Sequence, residues 1–169
     1  MEDTLGLLRV RVLRGINLAV RDSSTSDPFV LVTMGHQRVK TRVVKNDVNP
    51  EWDDELTLSI TDLTIPIQLF LFDKDSFSKD DAMGDAEIDI NPFVTALKTD
   101  TSGVPDGSVV SIVEASGRNS LVEDSPILWK NGKMVQDMHL RLRNVECGEI
   151  CIQIEWINVR GCKGSSEEA

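Results

Sequence analysis

The stretch Phe72-Asp73-Lys74-Asp75-Ser76-Phe77-Ser78-Lys79-Asp80-Asp81-Ala82-Met83-Gly84-Asp85 is the most informative part of this 169-residue chain. Alternating apolar residues precede it at 67–72 and follow it at 86–90, so it is predicted to be a loop between two β-strands. A loop that contains five aspartates requires solvent, basic partners or a metal. Oxygen ligands spaced two residues apart suit Ca²⁺, which takes six to eight of them. A solvated acidic turn is the simpler alternative.

Two known acidic motifs can be compared with this loop. With Asp73 as the first ligand of an EF-hand, the sixth position is Ser78 instead of Gly, and the twelfth is Gly84 instead of Glu. The strand-like flanks also argue against that motif. Asp-x-Asp occurs in metal-dependent sugar transferases, but 169 residues leave little room for a nucleotide-binding domain. A cation site here must therefore take further ligands from another loop.

Length and composition are typical of one globular domain. Hydrophobic residues make up 40% of the chain, which is ample for a buried core. The net charge of −10 argues against a nucleic acid partner, because phosphate binding depends on basic surface. It argues equally against anionic membranes, unless the acidic residues are concentrated where divalent cations bind.

The cysteines and the termini predict a soluble intracellular protein. The three cysteines (Cys147, Cys151 and Cys162) complete no zinc site and are expected to be inert or buried thiols. The N-terminus Met-Glu-Asp-Thr lacks the features of a signal peptide, and no apolar run is long enough to span a bilayer. Residues 1–163 are predicted to form a single domain, and residues 164–169 a disordered acidic tail.

The rest of the chain predicts short strands without intervening helices, which favours an antiparallel sandwich. These strands cover residues 8–12, 29–34, 37–44 and 55–60, and the third carries Arg38, Lys40 and Arg42 on one face. Loops after alternate strands emerge at the same end of such a sandwich. One rim is therefore expected to combine carboxylates from the loops after strands one and five: Asp22, Asp27, Asp73, Asp75 and Asp81.

Three segments in succession resemble a C2 domain. They are Asp22…Ser26-Asp27-Pro28-Phe29, then Asn49-Pro50-Glu51-Trp52, then Phe72-Asp73-Lys74-Asp75…Asp80-Asp81…Met83-Gly84. The resemblance implies an eight-stranded antiparallel C2 β-sandwich. The chain opens on the strand 7–12 and closes on the strand 149–157, an order that resembles the type II topology, in which the usual first strand comes last.

The same resemblance implies a metal site for about two Ca²⁺ ions. The implied ligands are the carboxylates of Asp22, Asp27, Asp73, Asp75 and Asp81, assisted by the backbone carbonyls of Arg21 and Lys74. Asp80 and Asp85 are expected to lie nearby without binding the metal directly.

A narrower resemblance covers nearly the whole chain and identifies it as similar to the plant C2-domain abscisic-acid-related (CAR) proteins. It is carried by 6–12, Gly15-Ile16-Asn17-Leu18-Ala19-Val20-Arg21-Asp22, Lys40-Thr41-Arg42-Val43, 135–137 and 140–149. Proteins of that family dock abscisic acid receptors of the PYR/PYL class onto the plasma membrane in a calcium-dependent way. Members are also described as activators of Obg-like ATPases or GTPases. The resemblance implies a cytoplasmic protein, peripheral at the plasma membrane and also nuclear.

The segment from about 91 to 136 is predicted to be an insertion between strands six and seven. It contains a short helix at 92–97, an extra strand at 109–113 and a hairpin around Lys130-Asn131-Gly132-Lys133. In the CAR family the matching insertion is the family signature and the proposed receptor-facing part. The resemblance therefore implies that its apolar residues are the partner contacts: Phe93, Val94, Leu97 and Val104. The alternatives are that these residues pack the insertion onto the sandwich, or that the insertion has no partner.

Lipid contacts are predicted at two places. Phe77, at the tip of the acidic loop, is expected to insert among lipids, and Arg38 and Lys40 match the basic groove that some C2 domains use for phosphoinositides. Leu31 and Thr33 stand where further basic residues are expected, so solvated strand residues are an equal alternative. His36 and His139 lack the partners that catalysis requires, and no phosphate-binding Gly-rich loop is present. A non-enzymatic adaptor is therefore predicted, with activation of a nucleotide hydrolase as the alternative function.

Overall fold

A computed structural model of the chain describes residues 4–21, 25–74 and 80–158. In these ranges it contains ten β-strands and one short helix. In chain order they are β1 (Gly6–Ile16), β2 (Pro28–Met34), β3 (Gln37–Lys40), β4 (Glu51–Ile60), β5 (Ile67–Asp73), β6 (Asp81–Ile88), α1 (Asn91–Leu97), β7 (Ser108–Val113), β8 (Ser125–Lys130), β9 (Lys133–Arg141) and β10 (Glu149–Ile157).

The strands form two antiparallel sheets. One sheet has the order β4-β1-β10-β9-β8-β7 and the other the order β3-β2-β5-β6. The first and last strands are neighbours along their whole length, from Leu7 opposite Ile157 to Ile16 opposite Glu149. This arrangement agrees with the predicted topology. The helix and two extra strands, β7 and β8, lie between β6 and β9, and the other eight strands make up the predicted sandwich.

Strict alternation of apolar and polar residues places the core between the sheets. In β1 the side chains of Leu8, Val10 and Val12 are fully buried, and in β5 Leu69 and Leu71 are as well. Burying each such side chain stabilises the fold by about 1.5–3 kcal/mol. The core also contains two large aromatic side chains, Trp52 of β4 and Phe93 of α1, both 0% exposed.

Several strand boundaries differ from the predicted ones. β1 continues to Ile16 and β4 begins at Glu51, so each is four residues longer at that end than predicted. β3 ends at Lys40 instead of continuing to residue 44, because the Thr41 hydroxyl takes up the N–H of Val30 at 3.0 Å and ends the regular ladder. Arg42 therefore lies outside β3, and its guanidinium donates to the Trp52 carbonyl. β6 begins at Asp81, five residues earlier than predicted, since Asp81 pairs with Asp73.

The strand directions separate the molecule into two ends. β1 and β5 end, and β2 and β6 begin, at one end, where Pro28 lies opposite Asp73 and Asp73 opposite Asp81. We call the side chains of Asp27, Asp73 and Asp81 at this end the acidic rim. The other end, which we call the far end, carries α1 and the turn between β8 and β9. Within the described ranges, no helix has the length and hydropathy needed to cross a bilayer.

Candidate metal centre

Asp27 is held in place by both neighbouring loops. Its backbone N–H donates to Oδ1 of Asp73 at 2.7 Å, and its Oδ1 accepts from the N–H of Asn46 at 2.8 Å. Its carbonyl accepts from the N–H of Lys74 at 3.0 Å. The carboxylate that follows β1 is thus fixed against the one that ends β5.

Ser26 is a buried residue that holds the connection between β1 and β2 in place by hydrogen bonds. Its side chain is 0% exposed, and its hydroxyl donates to the Ala19 carbonyl at 2.8 Å while accepting from the N–H of Arg21 at 2.8 Å. A buried hydroxyl with both partners satisfied fixes the backbone on either side of it. The position of Asp27, one residue later, therefore depends on Ser26.

Asp73 and Asp81 face each other across the antiparallel pair of β5 and β6. Asp73 is only 2% exposed, an unusual degree of burial for a carboxylate, and its Oδ1 accepts the Asp27 N–H. Asp81 is exposed at the surface of the same end. The acidic rim thus contains one buried carboxylate and one exposed carboxylate on adjacent strands.

The turn before β4 forms hydrogen bonds with the two segments on either side of the β1–β2 connection. The indole N–H of Trp52 donates to the Pro28 carbonyl at 3.2 Å, and Asn49 Oδ1 accepts from the N–H of Asn17 at 2.8 Å. The N–H of Leu18 donates to the Val48 carbonyl at 2.8 Å. The segment 46–52 therefore connects the end of β1 to the start of β2.

Arg21 crosses the rim to a distant loop. Its guanidinium forms two bonds with the Glu146 carboxylate, at 2.8 and 3.0 Å, and its Nε donates to the Ala82 carbonyl at 3.1 Å. The bonds with Glu146 raise the pKa of Arg21, with Asp81 adding a smaller effect, and lower the pKa of Glu146 to about 2. The Arg21 guanidinium thus lies beside the acidic rim, but its charge is paired with Glu146, which is not part of the rim.

The structure brings three of the five predicted ligands to one end: Asp27, Asp73 and Asp81. Asp22, Asp75 and the predicted lipid contact Phe77 lie outside the described residues. Among the residues that are described, no group of three or more His, Cys, Asp or Glu side chains is close enough to hold a metal. The donor chemistry, anionic oxygen on adjacent loops, is what calcium requires. The described carboxylates therefore fit part of a calcium site, and the complete ligand set stays a prediction.

The other acids of the loop have separate contacts. Asp80 lies 3.9 Å from the ammonium of Lys74. Asp85 accepts from the Arg143 guanidinium at 2.8 Å and from the Asn144 amide at 2.9 Å, so it holds the segment 143–144 against β6.

Arg38 and Lys40 are exposed on the edge strand β3, opposite Thr33 and Leu31 of β2. The Lys40 ammonium lies 5.8 Å from the centre of the Phe29 ring, within the range of a cation–π contact. No carboxylate lies within 4.0 Å of either cation in the described part of the chain. Their role in lipid binding stays a prediction.

The predicted partner residues of the insertion differ in burial. Phe93 is 0% exposed and packs α1 into the core, as the packing alternative expected. Val94, Leu97 and Val104 are half-buried. The most exposed apolar side chains of the insertion are instead Val109 and Ile112 of β7, each 55% exposed.

Sequence reasoning missed the residues that hold the rim together, namely Ser26, Asn46 and Glu146. Ser26 could have been identified, because it belongs to the Ser26-Asp27-Pro28 segment that carries the C2 resemblance. Glu146 is 125 positions from Arg21, and no local pattern connects the two.

Comparisons with known proteins agree with this architecture. A model of the C2 domain family matches residues 6–104. The protein named C2-domain ABA-related 8 of Arabidopsis thaliana is 58% identical over 161 residues, covering 95% of this chain and 98% of the relative. C2-domain ABA-related 4 of the same plant is 55% identical over 164 residues, covering 97% of this chain and 93% of the relative. GTPase activating protein 1 of Oryza sativa subsp. indica is 54% identical over 160 residues, covering 95% and 96%.

Solved structures share the fold at low sequence identity. The calcium-bound tandem C2 domains of Extended-Synaptotagmin 2 superpose with a TM-score of 0.65 at 19% identity. The match covers 94% of this chain and 48% of that chain. The likeness supports the β-sandwich architecture.

Proposed function

Since this chain belongs to the plant C2-domain ABA-related (CAR) family of C2 proteins, we propose that it is a calcium-dependent phospholipid-binding adaptor. It would bring abscisic acid receptors of the PYR/PYL class to the plasma membrane. The observation that carries the proposal is the acidic rim, where the Asp27 backbone N–H donates to the Asp73 carboxylate and Asp73 pairs with the exposed Asp81 across β5 and β6.

The residues that would hold calcium are Asp22, Asp27, Asp73, Asp75 and Asp81, with the carbonyls of Arg21 and Lys74. Two ions would bring four positive charges against five carboxylates, and they would offer open positions to the phosphate oxygens of anionic lipids. The protein's own contribution is to hold the carboxylates together despite their repulsion. Asn46, Ser26 and the Arg21–Glu146 pair do so through the hydrogen bonds described above.

Vesicle sedimentation tests the calcium-dependent step. The chain is mixed with phosphatidylserine vesicles or phosphatidylcholine vesicles, in calcium or in chelator. We expect sedimentation only with phosphatidylserine and calcium, and its loss in the double variant Asp22→Ala, Asp27→Ala. The matched control is Asp62→Ala, Asp100→Ala, which removes the same charge at the far end, where each acid accepts only local turn bonds. Binding by the first double variant in calcium would show that the rim does not bridge to lipid and would favour Arg38 and Lys40.

The insertion is the proposed partner surface, because the rim would face the membrane. Its strand β7 is an edge strand without a charged residue, and Val109 and Ile112 are exposed on it. An uncharged, apolar edge is a ready interaction site. Val94, Leu97 and Val104 line the neighbouring part of the insertion and stay candidates for the same surface.

Pull-down of a PYR/PYL receptor tests this surface. The double variant Val109→Lys, Ile112→Glu is expected to lose the receptor while it keeps calcium-dependent vesicle binding. Thr57→Lys, His36→Glu is the control, because it introduces a lysine and a glutamate at exposed positions outside the insertion, on β4 and in the turn between β2 and β3. Retention of the receptor by the β7 variant would place the partner site elsewhere, beside the rim.

A second candidate is activation of an Obg-like nucleotide hydrolase, favoured by the relatives named GTPase activating protein 1. Such an activator supplies charge to the transition state of a partner enzyme. The test is the rate of nucleotide hydrolysis by the partner enzyme with and without this chain. An unchanged rate would exclude activation, and the adaptor function would be the remaining proposal.

The proposed location for either function is the cytoplasm and the inner face of the plasma membrane, with a nuclear fraction.

A further inference from the structure

A concave pocket of about 620 Å³ lies at the far end of the sandwich. Its apolar walls come from α1, from the connection between β4 and β5, and from the hairpin of β8 and β9. The main wall side chains are Leu63, Val94, Leu97, Trp129 and Trp156. A cavity of 300–1,000 Å³ with apolar and aromatic walls is typical of small-molecule sites. The rim lies at the opposite end, so this pocket has no part in the calcium site.

The walls are fixed by the fold. Phe93 and Ala96 bury one side of α1 in the core, which leaves Val94 and Leu97 facing the pocket. The Trp156 ring packs on the backbone of Gly6, where a Cβ atom would lie 2.2 Å from the ring, and its indole N–H donates to Asn158 Oδ1 at 3.0 Å. The pocket therefore does not depend on a ligand to form.

The charge at the pocket is opposite to that of the chain as a whole. The chain has 28 acidic and 18 basic residues, yet the two charged residues that line the pocket are both lysines, Lys98 and Lys133. The Lys133 ammonium is paired with Glu155 at 2.8 Å. Lys98 follows the end of α1, and among the described residues no carboxylate lies within 4.0 Å of it. Charge complementarity therefore favours an anionic group at Lys98.

We propose that this pocket binds a small apolar molecule that carries one carboxylate. The apolar body lies between the rings of Trp129 and Trp156 and against Leu97, and the carboxylate lies at Lys98. The segment 159–169 follows directly after Asn158, a residue of the pocket wall, but it is mainly Gly, Ser and charged residues and has little apolar surface to offer. A separate molecule fits the walls better.

Intrinsic tryptophan fluorescence can report the binding of a ligand in the pocket. Two of the three tryptophans line the pocket, whereas Trp52 is fully buried in the core and is unaffected by a ligand there. The full chain is titrated with dodecanoate, an extended apolar carboxylate, and with 2-naphthoate, a compact one. The neutral alcohols of the same two bodies are titrated in parallel. All titrations contain chelator and no vesicles, so failure here is distinguishable from failure of the proposed calcium function.

We expect a saturable change in emission with at least one carboxylate and weaker binding of its alcohol. Lys98→Glu should weaken carboxylate binding by up to about fivefold and leave binding of the alcohol unchanged, as the loss of one exposed charge contact predicts. The matched control is Lys130→Glu, at an exposed lysine at the end of β8 that does not line the pocket. Thr99→Phe, at an exposed position of the pocket wall, should fill the space and weaken both carboxylate and alcohol.

Three results would overturn the proposal. One is no saturable change with either carboxylate up to on the order of 1 mM. Another is an equal effect of Lys98→Glu and Lys130→Glu in variants with unchanged circular dichroism. The third is binding by a chain that ends at Asn158 but not by the full chain, which would show that the C-terminal segment occupies the pocket.

Discussion

At the scale of single residues, the acidic rim depends on side chains that bind no metal themselves. Ser26 is the clearest case, because its hydroxyl joins the Ala19 carbonyl and the Arg21 N–H inside the protein. Removing this hydroxyl takes the donor from the Ala19 carbonyl and leaves the Arg21 N–H with only its longer bond to the Thr25 carbonyl at 3.3 Å, a loss that costs about 1–3 kcal/mol.

Ser26→Ala should therefore lower the free energy of unfolding by about 1–3 kcal/mol and weaken calcium binding, since Asp27 follows directly. Urea denaturation in chelator measures the first effect and calcium titration calorimetry the second. Ser111→Ala, at an exposed serine of β7, is the control and should change neither. Equal stability of the two variants would show that the Ser26 bonds do not support the fold.

The pair of Arg21 and Glu146 acts on the charge of the rim. In the wild type the guanidinium is held by two bonds to Glu146, while Asp81 is close enough to influence its pKa. Without the Glu146 charge, the guanidinium becomes available to Asp81 and competes with calcium.

Glu146→Gln should accordingly weaken calcium affinity by about two- to fivefold, the range expected for an exposed charge contact. Calorimetry of this variant is compared with Glu123→Gln, an exposed acid outside the Arg21 contact. An unchanged calcium affinity in Glu146→Gln would mean that Arg21 does not turn toward the rim.

The pH dependence of this pair has a defined sign. The bonds from Arg21 lower the pKa of Glu146 from 4.5 to about 2, so the pair stabilises the folded chain fully above pH 4.5. That contribution is lost as the pH falls from 4.5 toward 2. Carboxyl NMR titration should place the Glu146 midpoint well below 4.5 in the wild type and return it toward 4.5 in Arg21→Met. A midpoint that is the same in both would exclude the bond in solution.

At the scale of elements, β6 and the segment 142–145 pack closely against each other. Gly84 has a φ of +109°, and a Cβ atom there would lie 2.7 Å from the Val145 side chain and 3.2 Å from the Arg143 carbonyl oxygen. The backbones of Asp85 and Arg143 exchange hydrogen bonds at 3.1 and 2.8 Å. Since Glu146 follows this segment, the same contact positions the partner of Arg21.

Gly84→Ala should destabilise the fold by about 1–3 kcal/mol, because both the backbone conformation and the close contact disfavour a side chain. It should also weaken the Arg21–Glu146 contact. Thermal denaturation is compared with Gly117→Ala, where a Cβ atom would have nothing within 4 Å. Equal melting temperatures of the two variants would contradict the fit between β6 and 142–145.

At the scale of the whole molecule, the sandwich keeps its two ends chemically separate. One end gathers three carboxylates, at the start of β2, the end of β5 and the start of β6, and the far end holds an apolar pocket with two lysines. The proposed calcium site and the proposed pocket ligand are therefore expected to be independent of each other. Calcium that binds only the folded chain should stabilise the whole fold.

Saturating calcium at about 100 times its dissociation constant should stabilise the chain by roughly 2.7 kcal/mol. The measurement is a melting curve in calcium and in chelator, and Mg²⁺ should substitute poorly because the rim does not enforce octahedral geometry. Asp22→Ala, Asp27→Ala should melt at the same temperature in both solutions. A wild-type curve that calcium does not move would remove the basis for the metal site.

The sequence alone determined the class of fold, the order of the strands and the end at which the aspartates gather. Alternation of apolar residues is a local property, and an antiparallel sandwich returns alternate loops to the same end. Only the tertiary structure decided which distant segments contact each other. It established the Arg21–Glu146 pair, the burial of Phe93 and the pocket lined by Trp129 and Trp156. These features depend on contacts between residues far apart in the chain, where no local pattern constrains which side chains meet.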